Sequence, residues 1–88
     1  MDERDPNIVT SSLSGIVEEQ GVRVTVNIIR LENEPGWSLE VENEHGTSTV
    51  WNDMFATDDA AYAAFRQTVD TEGMGAFLDK AVVIPFRR

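Results

Sequence analysis

Three aspartates and two large aromatics crowd into the stretch GTSTVWNDMFATDDA at residues 46–60, where Asp53, Asp58 and Asp59 stand near Trp51 and Phe55. Carboxylates gathered this way could offer oxygen ligands to a hard cation or act as acid–base groups toward a small substrate. Glu40 and Glu42 form a second pair on one strand parity, with Cα atoms roughly 7 Å apart, a spacing that only superficially matches a glycosidase carboxylate pair. Both are expected in water, without the burial that a catalytic acid needs. His45 is the sole histidine and sits between Glu44 and Gly46 in a predicted turn. A histidine base needs an orienting partner in a water-poor cleft, and no nucleophile elbow, HExxH or CxxC pattern accompanies this one.

Two other segments have the look of ligand loops. LENEPG at 31–36 and VENEHG at 41–46 are near-copies, yet neither has the alternating acidic spacing that places enough oxygens around one calcium ion. GMGAFLDK at 73–80 has two glycines but not the six-position phosphate-loop pattern. No catalytic residue, metal ligand or cofactor is therefore assigned. The competing interpretation is a small enzyme or metal-dependent binding domain that uses Asp53, Asp58, Glu40 or Glu42.

The elements that must position these residues explain most of them. VRVTVNII alternates Val22, Val24, Val26 and Ile28 with Arg23, Thr25 and Asn27, the mark of a strand buried on one face. WSLEVEN repeats the pattern with Trp37, Leu39 and Val41 inward. TSTVW supplies another strand, joined through a four-residue turn NEHG, with Val50 in the core. Upstream, a four-residue loop Glu18–Gly21 would bring Leu13 and Val17 opposite Val26 and Val22, although apolar residues at 9, 13, 16 and 17 also fit a helix.

The aspartates at 58 and 59 then read as the start of a helix. Thr57 is the expected N-cap, Asp58 and Asp59 sit where the helix dipole favours negative charge, and Gly73 is placed to end the helix. Ala61, Ala64, Phe65, Thr68 and Val69 form its apolar stripe. Asn52 and Asp53 are turn residues on this view, and Phe55 is an apolar anchor beneath the connection. The expected fold is α+β: a four-stranded antiparallel meander over 12–18, 22–31, 36–43 and 46–51, followed by one helix over 58–71 packed on one face.

The 88 residues fit one domain, with residues 1–10 expected as a flexible lead-in and 80–88 as an apolar tail. Without cysteine there is no disulfide scaffold and no cysteine zinc site. No signal-peptide pattern or membrane-length apolar run is present, which gives an expectation of a soluble, cytoplasmic protein. A net charge of −9 repels phosphate backbones and anionic bilayers, so neither nucleic acid nor membrane is an expected partner.

The run GWSLEVENEHGTSTVWNDMFATDDAA carries G-W-x-L-E-V, G-x-S-x-V-W and F-x-T-D patterns and resembles short bacterial proteins of uncharacterised function. That resemblance covers about a third of the chain. It implies a bacterial cytoplasmic setting and a self-contained domain, and it transfers no activity or site residue.

With a lone helix on one side, the other sheet face should be polar. Four-residue hairpin loops instead place Ile16, Ile29 and Trp51 there, and the tail VVIPF adds Val82, Val83, Ile84 and Phe86. These residues mark a possible interaction surface, covered either by the tail in cis or by a second molecule in a homodimer. The expected function is a small non-catalytic protein-interaction or regulatory module whose partner is another protein or a second copy of itself.

Overall fold

The computed structural model describes residues 7–78 and the backbone of Val82–Ile84. Its elements are β1 (Ile8–Thr10), β2 (Gly15–Glu19), β3 (Val22–Leu31), β4 (Ser38–Asn43), β5 (Ser48–Trp51), α1 (Asp58–Glu72), a 3-10 helix (Met74–Phe77) and β6 (Val82–Ile84). The fold is α+β. All four expected strands are present as an antiparallel succession β2–β3–β4–β5, with α1 packed on one face. β3 is central, because β1 and β2 both pair with it along the edge opposite β4.

Two strands lie beyond the expected meander. Ile8–Thr10, placed in the N-terminal lead-in by sequence, pairs with residues 29–31 of β3. The backbone of β6 runs parallel to β5, a pairing that requires a crossover; α1 and the 3-10 helix supply it. The tail backbone at 82–84 thus extends the sheet at its edge instead of crossing the outer face. Phe86 lies outside the described residues.

Between β1 and β2 the residues 11–14 bulge out of the ladder, so the strand expected over 12–18 begins only at Gly15. Ser14 Oγ takes a place in the ladder, accepting from Ile28 N at 2.9 Å and donating to Ile28 O at 3.2 Å. Ser11 Oγ accepts from Leu13 N at 3.0 Å and donates to Asp58 Oδ2 at 2.7 Å, which ties the bulge to the start of α1.

Two hairpins depart from their expected registers, with different consequences. At β2–β3 the loop is only Gln20–Gly21, both at positive φ (55° and 76°), the conformation of a type I′ turn. Val17 therefore faces Val24 instead of Val22, and Gly15 rather than Leu13 faces Val26. Because the slip is two residues, every side chain keeps its face.

At β4–β5 the slip is one residue. Asn43 N donates to Thr47 O at 2.9 Å, leaving the three-residue loop 44–46 that closes with Gly46 at φ 85°. Glu40 then pairs with Val50 and Val41 with Thr49. A one-residue shift exchanges the faces of a whole strand. Trp51, expected outside, is buried at 9% exposure beneath the helix, and Val50, expected in the core, is 39% exposed on the outer face.

Asn43 enforces that shorter loop. Its Oδ1 accepts from His45 N at 2.8 Å and Thr47 N at 3.0 Å, and its Nδ2 donates to Phe77 O at 2.8 Å. Asn43→Ala leaves these buried or half-buried groups without their partner and is expected to lower stability by about 1–3 kcal/mol in urea denaturation; an unchanged midpoint would remove this explanation of the register.

α1 begins and ends as its residues dictate. Thr57 Oγ1 accepts from Ala60 N at 3.0 Å, Asp58 and Asp59 fill the first turn, and Gly73, at φ 81°, donates its N–H to Val69 O at 2.9 Å. Ala61, Phe65 and Val69 are buried against Val24, Val26, Ile28, Leu39 and Val41, while Met74 and Phe77 of the 3-10 helix close one end of the core. The ring centroids of Phe65 and Phe77 are 5.7 Å apart.

Candidate functional site

The carboxylates at residues 53–59 do not converge. Asp58 is engaged by Ser11, Asp59 is exposed in the first helical turn, and Asp53 is half-buried in the bend that follows β5. Glu40 and Glu42 lie on the outer sheet face, where Glu40 Oε2 accepts from Ser48 Oγ at 2.7 Å. Among the described residues, no three His, Asp or Glu side chains come close enough together to hold a metal ion. His45 is exposed in the β4–β5 loop, held there through its backbone N–H rather than its ring.

Among the described residues one carboxylate, Glu19, is perturbed, and its role is structural. Glu19, at the end of β2, receives Nη1 and Nη2 of Arg66 on its two oxygens, the second bond at 3.3 Å. The hydrogen bonding from Arg66 holds the Glu19 carboxyl below its ordinary range, with the Coulomb attraction adding to it and partial desolvation opposing it. The same contact raises the Arg66 guanidinium. Next to it, Gln20 Oε1 accepts from Met74 N at 3.0 Å, so the β2–β3 hairpin tip grips α1 and the 3-10 helix at two adjacent points.

Because the folded-state pKa of Glu19 is depressed, its contribution is fully present above the unfolded carboxylate range and is lost as pH falls below that range. Glu19→Gln should therefore narrow the stability gap between pH 7 and the acid limb of a denaturation series, with wild type and variant converging at the lowest pH. A constant gap throughout would contradict the ion pair. The pair is about one-third exposed, so screening by salt should also reduce its effect.

The outer sheet face is the remaining candidate. Ile16 pairs with Thr25 and Thr25 with Glu42; Asn27 pairs with Glu40 and Glu40 with Val50; Thr10 pairs with Ile29 and Ile29 with Ser38. Ile8 faces Leu31 at the far corner. Ile16 is 66% and Ile8 62% exposed, and Ile29 is half-buried. Glu18 and Arg23 also face each other on this side, 3.6 Å apart, so Arg23 already has an acidic neighbour within the chain.

The structure thus keeps Ile16 and Ile29 on the predicted surface, removes Trp51 and adds Ile8, Leu31 and Val50. Val82, Val83 and Ile84 border it through their backbone pairing with β5. Leu31 was visible as the next residue on the parity of Ile29; Ile8 and Val50 required the actual strand pairings.

A second apolar feature, absent from the sequence reading, sits at the end of the sheet where β5 stops. Trp37 and Phe55 exchange both backbone hydrogen bonds at 2.8 Å, resuming the β4–β5 pairing beyond the bend at 52–54. Arg30 stacks over Trp37 at 5.3 Å and its Nη1 lies 3.1–3.3 Å from the carbonyls of Leu31, Glu32 and Glu34, bracing the 31–36 loop. A Cβ at Gly36 would lie 3.0 Å from Met54 Cβ, so the two segments approach closely. Pro35, Gly36, Met54, Phe55 and Ala56 line a shallow open groove of about 350 Å³.

Compared with models of protein families, with curated proteins and with solved structures, the chain finds no match in any of the three. Among the described residues, no helix is long and apolar enough to cross a membrane.

Proposed function

We propose that this chain is a small non-catalytic protein-interaction or regulatory module that engages its partner through the helix-free sheet face. The observation that supports this is the exposure of Ile16 and Ile8, 66% and 62%, on a face that also carries Ile29, Leu31 and Val50. Large apolar side chains grouped on one face gain free energy when a partner removes them from water. On this face Arg23 stands 3.6 Å from Glu18 and offsets one of its negative charges, while Ser48 donates a hydrogen bond to Glu40. A second copy is therefore the partner to test first, since a two-fold dimer matches one patch to itself. The cytoplasm is the setting we take, from the cysteine-free composition and the resemblance of residues 36–61 to short bacterial proteins.

Sedimentation equilibrium of the full chain beside Ile16→Lys tests this. The expected result is a dimer at high micromolar concentration that the variant converts to monomer, with the folded state retained because Ile16 lies outside the core. If the full chain is monomeric, a different protein must be its partner, identified by capture from the source cell and then shown to bind the purified wild type at least tenfold more tightly than the variant. Failure of both, or micromolar binding of calcium, magnesium or zinc at fixed stoichiometry in a calorimetric titration, would overturn the proposal.

A further inference from the structure

We infer that two copies of this chain dimerise through only half of the outer face, β3 of each copy lying on the β1–β2 side of the other, about a two-fold axis that runs along the strands. The inference rests on the reading of that face as an interaction surface and says which part of it a second copy covers. Strand register sorts the face into columns. Ile29 and Leu31 stand on β3, and Ile16 and Ile8 stand beside β3 on β2 and β1. Glu40 and Glu42 stand on its other side, on β4. The large apolar side chains other than Val50 thus share two adjacent columns, and the glutamates of β4 form a third.

Charge selects the arrangement. Packing β4 of one copy on β4 of the other would gather four glutamates, two from each, in a contact where loss of water strengthens their repulsion. An axis along the strands, midway between β3 and the β1–β2 column, avoids this. It lays each of those columns on the other one of the partner, and β4 falls beyond the partner's sheet edge. Pairs made within the sheet are then made again between molecules: Ile8 meets the partner's Leu31, Ile16 the partner's Thr25, and Ile29 the partner's Thr10.

At one end of the overlap Arg23 meets the partner's Glu18. Within one chain these two lie 3.6 Å apart and both are more than half exposed, so two copies set four charges in alternation, each with an opposite neighbour in both molecules. The overlap runs from Arg23 to Leu31, about 27 Å at strand rise. Packed sheets cross at about 30°, which shifts its ends by roughly one strand spacing, within reach of an arginine side chain. Two columns of that length cover roughly 270 Å² of sheet per copy, so the contact belongs to the small, transient class.

Sedimentation equilibrium of the full chain and three variants at physiological ionic strength tests this. Glu18, Arg23 and Glu42 all lie outside the core, so each variant should keep the wild-type circular dichroism. Arg23→Glu should weaken self-association at least tenfold, and adding Glu18→Arg should restore it to within about threefold, because the alternation returns with its signs exchanged. Glu42→Lys, outside the overlap, should change it by less than about threefold. A dimer that Arg23→Glu leaves unchanged, that the double variant fails to restore, or that Glu42→Lys tightens at least tenfold would overturn this arrangement while leaving the reading of the face in place. A full chain that stays monomeric at high micromolar concentration would also overturn it, and the face would then belong to a different protein.

Discussion

Phe65→Ala is expected to remove about 3–5 kcal/mol of folding stability, the range found when a fully buried phenylalanine is truncated. Phe65 is 0% exposed and occupies the middle of α1's inner stripe between Ala61 and Val69. Its ring lies 5.7 Å from that of Phe77 and 5.6 Å from that of Tyr62, so truncation opens a void between the helix, the sheet and the 3-10 helix at once. A domain of this size has only about 5–15 kcal/mol to lose, so much of the native population is at stake. Urea denaturation followed by circular dichroism measures the loss. Ala63→Ser, on the exposed side of the same helix, is the control and should stay within about 0.5 kcal/mol. A loss near 1 kcal/mol at Phe65 would mean that helix and sheet are not packed through this residue.

The second large effect tests the register of the β4–β5 hairpin. Trp51→Ser should cost about 3–5 kcal/mol, since it empties the space of a nearly buried indole and leaves a hydroxyl there. Val50→Ser, one residue earlier on the outer face, should cost roughly 1 kcal/mol or less. The four-residue loop would reverse the order, with Val50 costly and Trp51 cheap. An independent check is the fluorescence of Trp51 in a Trp37→Phe background, where blue-shifted emission protected from iodide is the expected signal. Equal costs at the two positions, or ready quenching, would contradict the one-residue slip.

Much of the scaffold was legible because periodicity and punctuation report local physics. The alternation of residues 22–28 and 37–41 specified which side chains of β3 and β4 face inward, and Val26, Ile28, Leu39 and Val41 are all fully buried. Thr57, Asp58, Asp59 and Gly73 marked both ends of α1 because each satisfies or charges a helix terminus by its own chemistry. The candidate surface was legible only in part. Ile16 and Ile29 kept their faces because the β2–β3 turn is two residues shorter than expected, an even change. Trp51 lost its place because the β4–β5 loop is one residue shorter, an odd change, and the side chain of Asn43 controls that loop through contacts reaching Thr47 and Phe77.

The α+β class, the helix and its caps, and the inward faces of β3 and β4 follow from residue pattern alone, because they depend on side-chain alternation and on backbone groups a few residues away. The face that β5 presents, the extension of the sheet by β1 and β6, and the meeting of Pro35 and Gly36 with Met54 and Phe55 emerge only once the chain is folded. Each depends on groups far apart in the chain: Asn43 on Phe77, Ile8 on Leu31, Trp37 on Phe55. Local preference leaves such pairings nearly equal in energy, and strand parity turns a single residue of register into the choice between core and surface.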